Sequence, residues 1–172
     1  NDAKAYHNLG NGYREFDRLS YAVSSYRQAL ALDPNLVDAH RGLALVYAQM
    51  EKYPEAAREL RQAIEIAPRD AAAHGQLADL YYRAGNYRQA LAEYQRAASL
   101  DHSLPETHYG LGQCYRRLGQ HADEIRAYQQ ALSLNPDMLM ALVDLANAYV
   151  DRKEYAAALP YCRRAAVLDP QN

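Results

Sequence analysis

The sequence has little of several residue types: no tryptophan, one phenylalanine and two cysteines among its 172 residues. Two cysteines do not support a disulfide-stapled fold. An excess of charge is also missing, since 19 Lys and Arg face 21 Asp and Glu and leave a net charge of -2. Because a nucleic-acid-binding surface needs a basic excess, we expect no nucleic-acid partner.

Long hydrophobic runs are absent too, and no apolar stretch approaches the roughly 18 residues of a membrane span. The N-terminus, NDAKAYHNLG, has no basic segment followed by an apolar one, as a signal peptide would. We therefore expect no membrane insertion, with the cytoplasm as the default compartment. The chain begins without Met, which leaves open a targeting segment outside it.

Motifs of catalysis are missing from the sequence. A Gly-rich phosphate loop, HExxH and GxSxG do not occur, and no nucleophile lies in a recognisable setting. We therefore expect neither enzymatic activity nor a cofactor.

What the sequence has instead is repetition, with a period of 34 residues. One column of this period is tyrosine, at Tyr13, Tyr47, Tyr81, Tyr115 and Tyr149. A second is leucine, at Leu9, Leu43, Leu77, Leu111 and Leu145, and a third is alanine, at Ala29, Ala63, Ala97, Ala131 and Ala165. Prolines form a column with one gap, at Pro34, Pro68, Pro136 and Pro170. Such periods are typical of arrays in which every repeat is one supersecondary unit.

The repeats resemble those of the tetratricopeptide family, whose pattern is W-x2-L-G-x2-Y…A-x3-F…P. Counted from Ala3, the first copy supplies the pattern with Tyr6, Leu9, Gly10, Tyr13, Ala22, Tyr26, Ala29 and Pro34. The resemblance covers residues 3–172 and divides them into repeats 3–36, 37–70, 71–104, 105–138 and 139–172. It implies an all-α fold and one array over residues 1–172, a right-handed solenoid of ten helices in antiparallel pairs.

Residue spacing within each repeat also predicts two helices. Repeat positions 4, 7, 8 and 11 lie on one face of a first helix, helix A, and positions 20, 24, 27 and 28 on one face of helix B. Glu124 stands at position 20, where the other repeats have alanine, so we expect looser packing there and a carboxylate that reaches outward. Asn35, Ser103 and Asp137 are predicted N-caps of the following helix A.

Histidines at position 4 of three consecutive repeats, His40, His74 and His108, suggest a metal site. Equivalent side chains of successive repeats are a whole helical pair apart, however, which is too far for zinc bonds of roughly 2 Å. We predict part-buried packing residues and no metal. Cys114 and Cys162 lie at buried positions of different repeats and are expected to be inert thiols.

Opposite the buried stripe of helix A lie positions 2, 5, 6, 9, 12 and 13, which we name the groove surface. The family resemblance implies that these positions line a concave surface and bind peptides. They differ between repeats whereas the buried columns do not, although solvent exposure alone would also permit this variation. The candidate peptide-binding residues are Asn11, Arg41, Gln76, Tyr82, Arg83, Tyr109, Gln113, Arg116, Arg117 and Asn147.

Three mid-helix glycines, Gly42, Gly75 and Gly110, suggest a more specific ligand, because each costs about 1 kcal/mol relative to alanine. We infer that bare backbone beside Tyr82 and Tyr109 forms a shallow pocket for an apolar side chain. The arginines that would meet a carboxylate nearby are Arg83, Arg116 and Arg117. The hypothesis is thus a protein or peptide partner with an apolar anchor and an acidic group, held across repeats 2 to 4.

Two other functions stay open at this point. The chain would be a structural spacer or self-assembling array, or else the regulatory arm of a larger enzyme. No polar capping helix follows the last repeat to cover Cys162 and Ala166. We therefore expect an uncapped C-terminal helix through which the chain self-associates.

Overall fold

The structure, a computed structural model, describes residues 2–169. These residues form ten α-helices and no strand, which confirms the all-α prediction. The helices are α1 (Asp2–Glu15), α2 (Leu19–Leu32), α3 (Val37–Gln49), α4 (Tyr53–Ile66), α5 (Ala71–Arg83), α6 (Tyr87–Leu100), α7 (Pro105–Arg117), α8 (His121–Leu134), α9 (Leu139–Asp151) and α10 (Tyr155–Leu168). Pro170 of the proline column lies outside the described residues. Over residues 2–169, no helix combines the length and the apolar character needed to cross a membrane.

The chain divides into two compact units, the first ending at Ala84 and the second beginning at Gly85. The first contains α1 to α5 and the second α6 to α10. Within each unit every helix packs against the next one along the chain. The division falls in the turn inside the third repeat. The single array over residues 1–172 and its right-handed sense therefore stay predictions.

The turn between helix A and helix B has the same backbone conformation in all five repeats. Position 15 has a positive φ, between 55° and 77°, at Asp17, Glu51, Gly85, Gly119 and Lys153. The N–H of the next residue then donates to a carbonyl oxygen in the last turn of helix A, as Lys52 N does to Tyr47 O at 2.8 Å. This is the pattern of a Schellman motif. A residue other than glycine loses roughly 1–2 kcal/mol in this conformation. The turn must therefore be held in three repeats by the packing of its two helices.

The beginnings of helix A differ from the prediction, because α3, α7 and α9 start one residue later than expected and after an apolar residue. Asn35, Ser103 and Asp137 are therefore not N-caps. Their N–H groups instead donate to side-chain oxygens two residues earlier, as Ser103 N does to Asp101 Oδ1 at 2.9 Å, which is an Asx turn. At α5 a true cap is present, since Asp70 accepts from two N–H groups of the first turn at 3.0 and 3.2 Å.

The predicted buried stripe of helix A is confirmed in four repeats. Its leucines Leu43, Leu77, Leu111 and Leu145 are at most 7% exposed. Leu9 is an exception with 45% exposure. The reason is that α1 packs mainly against α2 and α3 within the described residues.

Tyrosines at position 24 of helix B fill the spaces that glycines leave on helix A. Tyr26 is fully buried, and a Cβ on Gly42 would lie only 2.6 Å from its Cε1 atom. Tyr94 approaches Gly110 even more closely. Since no side chain fits in such a gap, only glycine admits these rings. The pocket predicted at Gly42 and Gly110 is therefore wrong, and ring burial in the core offsets the cost of both glycines.

Replacing Gly42 with alanine should destabilise the fold, because the added methyl group collides with the ring of Tyr26. We expect a loss of about 1–3 kcal/mol in the free energy of unfolding, as for other overpacked cores, measured by urea denaturation. The cost should shrink in the Tyr26→Leu background, which removes the ring.

Gly12→Ala is the matched control, because a Cβ there meets no atom within 4 Å. Gly12 lies inside α1, so alanine should raise stability by about 0.5–1 kcal/mol through helix propensity. Equal effects of the two substitutions would contradict the tyrosine-filled gap.

Candidate functional site

All ten predicted site residues lie on the first helix of their repeats, five in each unit. Those of the first unit are Asn11 on α1, Arg41 on α3, and Gln76, Tyr82 and Arg83 on α5. Those of the second unit are Tyr109, Gln113, Arg116 and Arg117 on α7 and Asn147 on α9. Three arginines, Arg83, Arg116 and Arg117, are exposed, as is Asn147, and the other six residues are half-buried.

Asn11 takes part in the packing of a buried tyrosine. The Tyr26 hydroxyl donates to Asn11 Oδ1 at 2.6 Å, and the Asn11 amide nitrogen lies 3.4 Å from His7 Nε2. Burial raises the pKa of Tyr26, so the hydroxyl stays protonated and keeps its role as donor. Asn11 thus completes the hydrogen bonding of a core side chain at the edge of the groove surface.

Arg41 is held between two carboxylates. It lies 3.3 Å from Asp38 Oδ1, one turn earlier on α3, and 3.1 Å from Asp70 Oδ1. Asp70 is also the N-cap of α5, so Arg41 links α3 to the start of the next helix A. A ligand carboxylate at Arg41 would have to compete with both acids.

The remaining predicted residues of the first unit lie on α5. Gln76 has its side-chain oxygen buried, without a hydrogen-bond partner among residues 2–169. Tyr82 is half-buried and Arg83, next to it at the end of the helix, is exposed. Arg83 is thus the most accessible predicted cation of this unit.

In the second unit, two predicted residues form a hydrogen-bonded chain with a carboxylate of α9. Gln113 Nε2 donates to the Tyr109 hydroxyl oxygen at 3.0 Å, and that hydroxyl donates to Asp144 Oδ2 at 2.8 Å. Arg116 donates to Asp144 Oδ1 at 3.3 Å. The structure therefore gathers three predicted residues around Asp144, which was not among them.

Glu124 is the second carboxylate beside Arg116, and the prediction that it reaches outward is wrong. Its side chain is only 2% exposed, with Oε1 at 3.9 Å from Arg116 Nε. His121 Nδ1 lies 3.2 Å from Oε2. A buried carboxylate needs such partners to offset its lost hydration. Arg116, whose side chain is 41% exposed, is therefore shared between two acids.

Two predicted residues of the second unit lie away from this cluster. Arg117 has its guanidinium carbon 5.6 Å from the centre of the Tyr87 ring, a cation–π arrangement that leaves the charge at the surface. Asn147 is exposed on α9. Arg117 is therefore exposed at the end of α7, beside an aromatic ring.

The histidine column consists of packing residues, as predicted. His40 is buried, with Nδ1 at 2.8 Å from Glu59 Oε2 and Nε2 at 3.0 Å from the Pro34 carbonyl oxygen. Both partners are acceptors when Glu59 is ionised, so both ring nitrogens then donate, as in the imidazolium form. The hydrogen bond between His40 and Glu59 raises the pKa of His40 and lowers the pKa of Glu59.

The other histidines of this column repeat one of these bonds. Each has Nε2 at 3.3 Å from a backbone carbonyl six residues earlier, Pro68 for His74 and His102 for His108. These two hydrogen bonds therefore fix the loops before α5 and α7. Among residues 2–169, no cluster of three His, Cys, Asp or Glu side chains is arranged to hold a metal ion.

The two cysteines lie in different environments. Cys114 is buried in α7, as predicted, whereas Cys162 is exposed on α10. The exposure follows from the position of α10, whose main packing partner among the described helices is α9.

Comparison with protein families matches the repeats along the chain. A family model for the TPR repeat matches residues 10–51, 46–85 and 78–119. Two models for the tetratricopeptide repeat match residues 105–138 and 125–172. No curated protein matches the sequence.

Solved structures with the same fold include three that cover nearly the whole chain. PilF of Pseudomonas aeruginosa is 25% identical with a TM-score of 0.93, over 99% of this chain and 78% of that one. MamA is 23% identical with a TM-score of 0.83, over 95% of each chain. YrrB, reported as a TPR protein with an unusual peptide-binding site, is 23% identical with a TM-score of 0.77, over 99% of this chain and 88% of that one. These likenesses confirm the predicted fold, an all-α solenoid.

Replacing Glu59 with glutamine should change how stability depends on pH. The raised pKa of His40 stabilises the fold below its ordinary value of 6.5, and this contribution is lost as pH rises through the raised value. The lowered pKa of Glu59 stabilises the fold above its ordinary value of 4.5, and this is lost as pH falls through the lowered value. The variant should therefore be most destabilised between those two values, by about 1–3 kcal/mol.

Urea denaturation of the parent and of Glu59→Gln over a series of pH values would measure this difference. Glu65→Gln, at an exposed position of the same helix, is the control and should show no maximum in that window. A difference that stays constant from acid to alkaline pH would contradict the ion pair.

Proposed function

The chain belongs to the tetratricopeptide repeat family, and we propose that it is a non-catalytic scaffold that binds a peptide or partner protein on its groove surface. The observation that carries the proposal is that each first helix has two different sides. Its core columns are buried, and polar side chains on its other side are accessible. Side chains held on helices present a preformed surface, so a ligand need not order it. Repeat folds use such surfaces for extended partners.

The groove surface offers two accessible arginines for an acidic group of the ligand. Arg83 and Arg117 are exposed at the ends of α5 and α7. Arg116 is a poorer candidate, because Asp144 and Glu124 already share its charge. We propose that a ligand carboxylate pairs with Arg83 or Arg117, where the guanidinium can donate two parallel hydrogen bonds.

The apolar anchor of the ligand needs a location other than the glycine gaps, which tyrosine rings fill. On α9, Met140 is 59% exposed and Val150 is 42% exposed, although both are apolar. Val143 is half-buried between them. These residues stand at groove positions 2, 5 and 12 and share one side of the helix. We propose that an apolar ligand side chain packs against them.

Charge reversal at the accessible arginines tests the proposal. Peptides selected on the immobilised full chain by display of random heptapeptides should be enriched in Asp or Glu beside an apolar residue. Arg83→Glu or Arg117→Glu should weaken these peptides at least tenfold, which corresponds to about 1.4 kcal/mol, as measured by fluorescence anisotropy.

Arg96→Glu is the control for this experiment, because Arg96 is an exposed arginine of α6, a helix B. It should leave affinity unchanged. Unchanged affinity in both groove variants would rule out the acidic group.

Self-assembly is a second candidate function, favoured by the exposed face of α10. Tyr155 and Leu159, one turn apart, are 62% and 48% exposed. In the first four repeats, position 25 of helix B bonds the position 11 tyrosine of the following repeat, as Arg27 bonds Tyr47 at 2.8 Å. Arg163 is the exposed residue at position 25 of α10. We propose that a second copy presents its first helix to this face and continues the series of bonds.

Sedimentation velocity at increasing concentration tests the second candidate. The parent chain should associate, and Leu159→Glu should suppress association because it places a charge in the apolar contact. Ser133→Glu, at an exposed position of α8, should leave association intact. A parent chain that stays monomeric at high concentration would exclude this function.

A further inference from the structure

Asp144 stands at the repeat position that is glycine in the second and fourth repeats. At Gly42 and Gly110 the missing side chain admits the position 24 tyrosine of the preceding repeat. Tyr128 is the corresponding tyrosine for Asp144, and its ring lies against Gly112 of its own repeat, as the ring of Tyr26 lies against Gly10. The contact with the following repeat differs, because a carboxylate stands there in place of glycine.

The hydroxyl of Tyr128 differs from that of its counterpart in the first unit. The Tyr26 hydroxyl donates to Asn11 at position 9 of the same repeat. Gln113 occupies position 9 beside Tyr128, but its amide donates to Tyr109. Tyr128 is fully buried, and its hydroxyl has no hydrogen-bond partner within residues 2–169. A buried hydroxyl without a partner is costly, so a ligand group that formed a hydrogen bond with it would offset this cost.

The surroundings of the Tyr128 hydroxyl are negative. Burial raises the pKa of Tyr128, and the charges of Asp144 and Glu124 raise it further, which places the hydroxyl within the field of both carboxylates. These two acids share one guanidinium, that of Arg116. His121 Nδ1 also lies 3.2 Å from Glu124 Oε2, so the cluster keeps one uncompensated negative charge when this ring is neutral.

The oxygens of this cluster have unused capacity to accept hydrogen bonds. Each carboxylate oxygen of Asp144 accepts one bond, from Tyr109 or from Arg116, and has a second lone pair. The Tyr128 oxygen accepts none within the described residues. The rings of Tyr109 and Tyr128 lie 5.7 Å apart, centre to centre, and their faces also attract cations.

We propose that Asp144, Tyr109 and Tyr128, together the Asp144 site, bind a primary ammonium group, the side chain of a lysine in the bound peptide. The inference rests on the proposed peptide-binding function and adds a cation to the ligand. An ammonium group donates three hydrogen bonds and accepts none, which matches the carboxylate and hydroxyl oxygens here. A second carboxylate brought by a ligand would meet an excess of negative charge instead.

Arg116 acts in this site as an internal competitor for the lysine. Its guanidinium lies 3.3 Å from Asp144 Oδ1, and its side chain is 41% exposed, so it has room to move away from the carboxylate. Removing it should strengthen the binding of a lysine peptide. If Arg116 instead bound a carboxylate of the ligand, its removal would weaken peptide binding.

The test uses three acetylated, amidated heptapeptides, Gly-Gly-Leu-Xaa-Leu-Gly-Gly, in which Xaa is lysine, glutamate or norleucine. Each is titrated into the full chain labelled with 15N, and the dissociation constant is taken from amide chemical shifts. The lysine peptide should bind at least tenfold more tightly than the other two and should shift signals of α7 and α9. Asp144→Asn should weaken it at least tenfold, and Tyr128→Phe several-fold.

Arg116→Gln, which retains a donor for Glu124, should strengthen binding of the lysine peptide several-fold. Two variants serve as controls and should leave its affinity unchanged: Glu65→Gln, an exposed acid of α4 outside the groove surface, and Arg126→Gln, an exposed arginine of α8.

Weaker binding of the lysine peptide to Arg116→Gln, or undiminished binding to Asp144→Asn, would overturn the Asp144 site. Shifts on the groove surface with the glutamate or norleucine peptide, but none with the lysine peptide, would overturn it and leave the proposed groove function in place. The absence of shifts with all three peptides would count against both.

Discussion

The fit of a tyrosine ring against a glycine backbone is the contact that sets helix packing in the first, third and fourth repeats. Tyr26 is buried against Gly10 in its own repeat and Gly42 in the next, so one side chain sets the distance between three helices. The same ring ends in a hydroxyl near the groove surface, where it donates a hydrogen bond to Asn11 Oδ1. Packing in the core therefore decides which polar groups on the groove surface are already engaged and which are available.

Electrostatic pairs add a second link between neighbouring first helices. Arg41 on α3 pairs with Asp70 at the start of α5, and Arg116 on α7 pairs with Asp144 on α9. Each pair is partly shielded from water, so it is less weakened by salt than a fully exposed pair. These arginines hold the groove surface together, so we expect a ligand to pair first with the exposed arginines Arg83 and Arg117.

Much of the fold follows from the sequence, because the 34-residue columns state directly which residues are equivalent. The bounds of α3, α5, α7 and α9 fall at the same repeat positions. The glycine gaps were misread for a physical reason: the ring that fills Gly42 comes from Tyr26, on another helix. The outward Glu124 was wrong for the same reason, since its partner Arg116 lies on the preceding helix. Periodicity shows equivalence between repeats but not contact between helices.

Two departures from the repeat pattern converge on one side chain. Glu124 replaces a small residue at position 20 and Asp144 replaces glycine at position 6, and both carboxylates lie within 4.0 Å of Arg116. Both carboxylates have partners that offset their lost hydration: Arg116 and His121 lie beside Glu124, and Arg116 and Tyr109 lie beside Asp144. Departures that are each costly, yet compensate one another, are expected where a protein has a function beyond stability. This convergence therefore marks α7 to α9, in the second unit, as the part of the groove surface where side chains are selected for something other than packing.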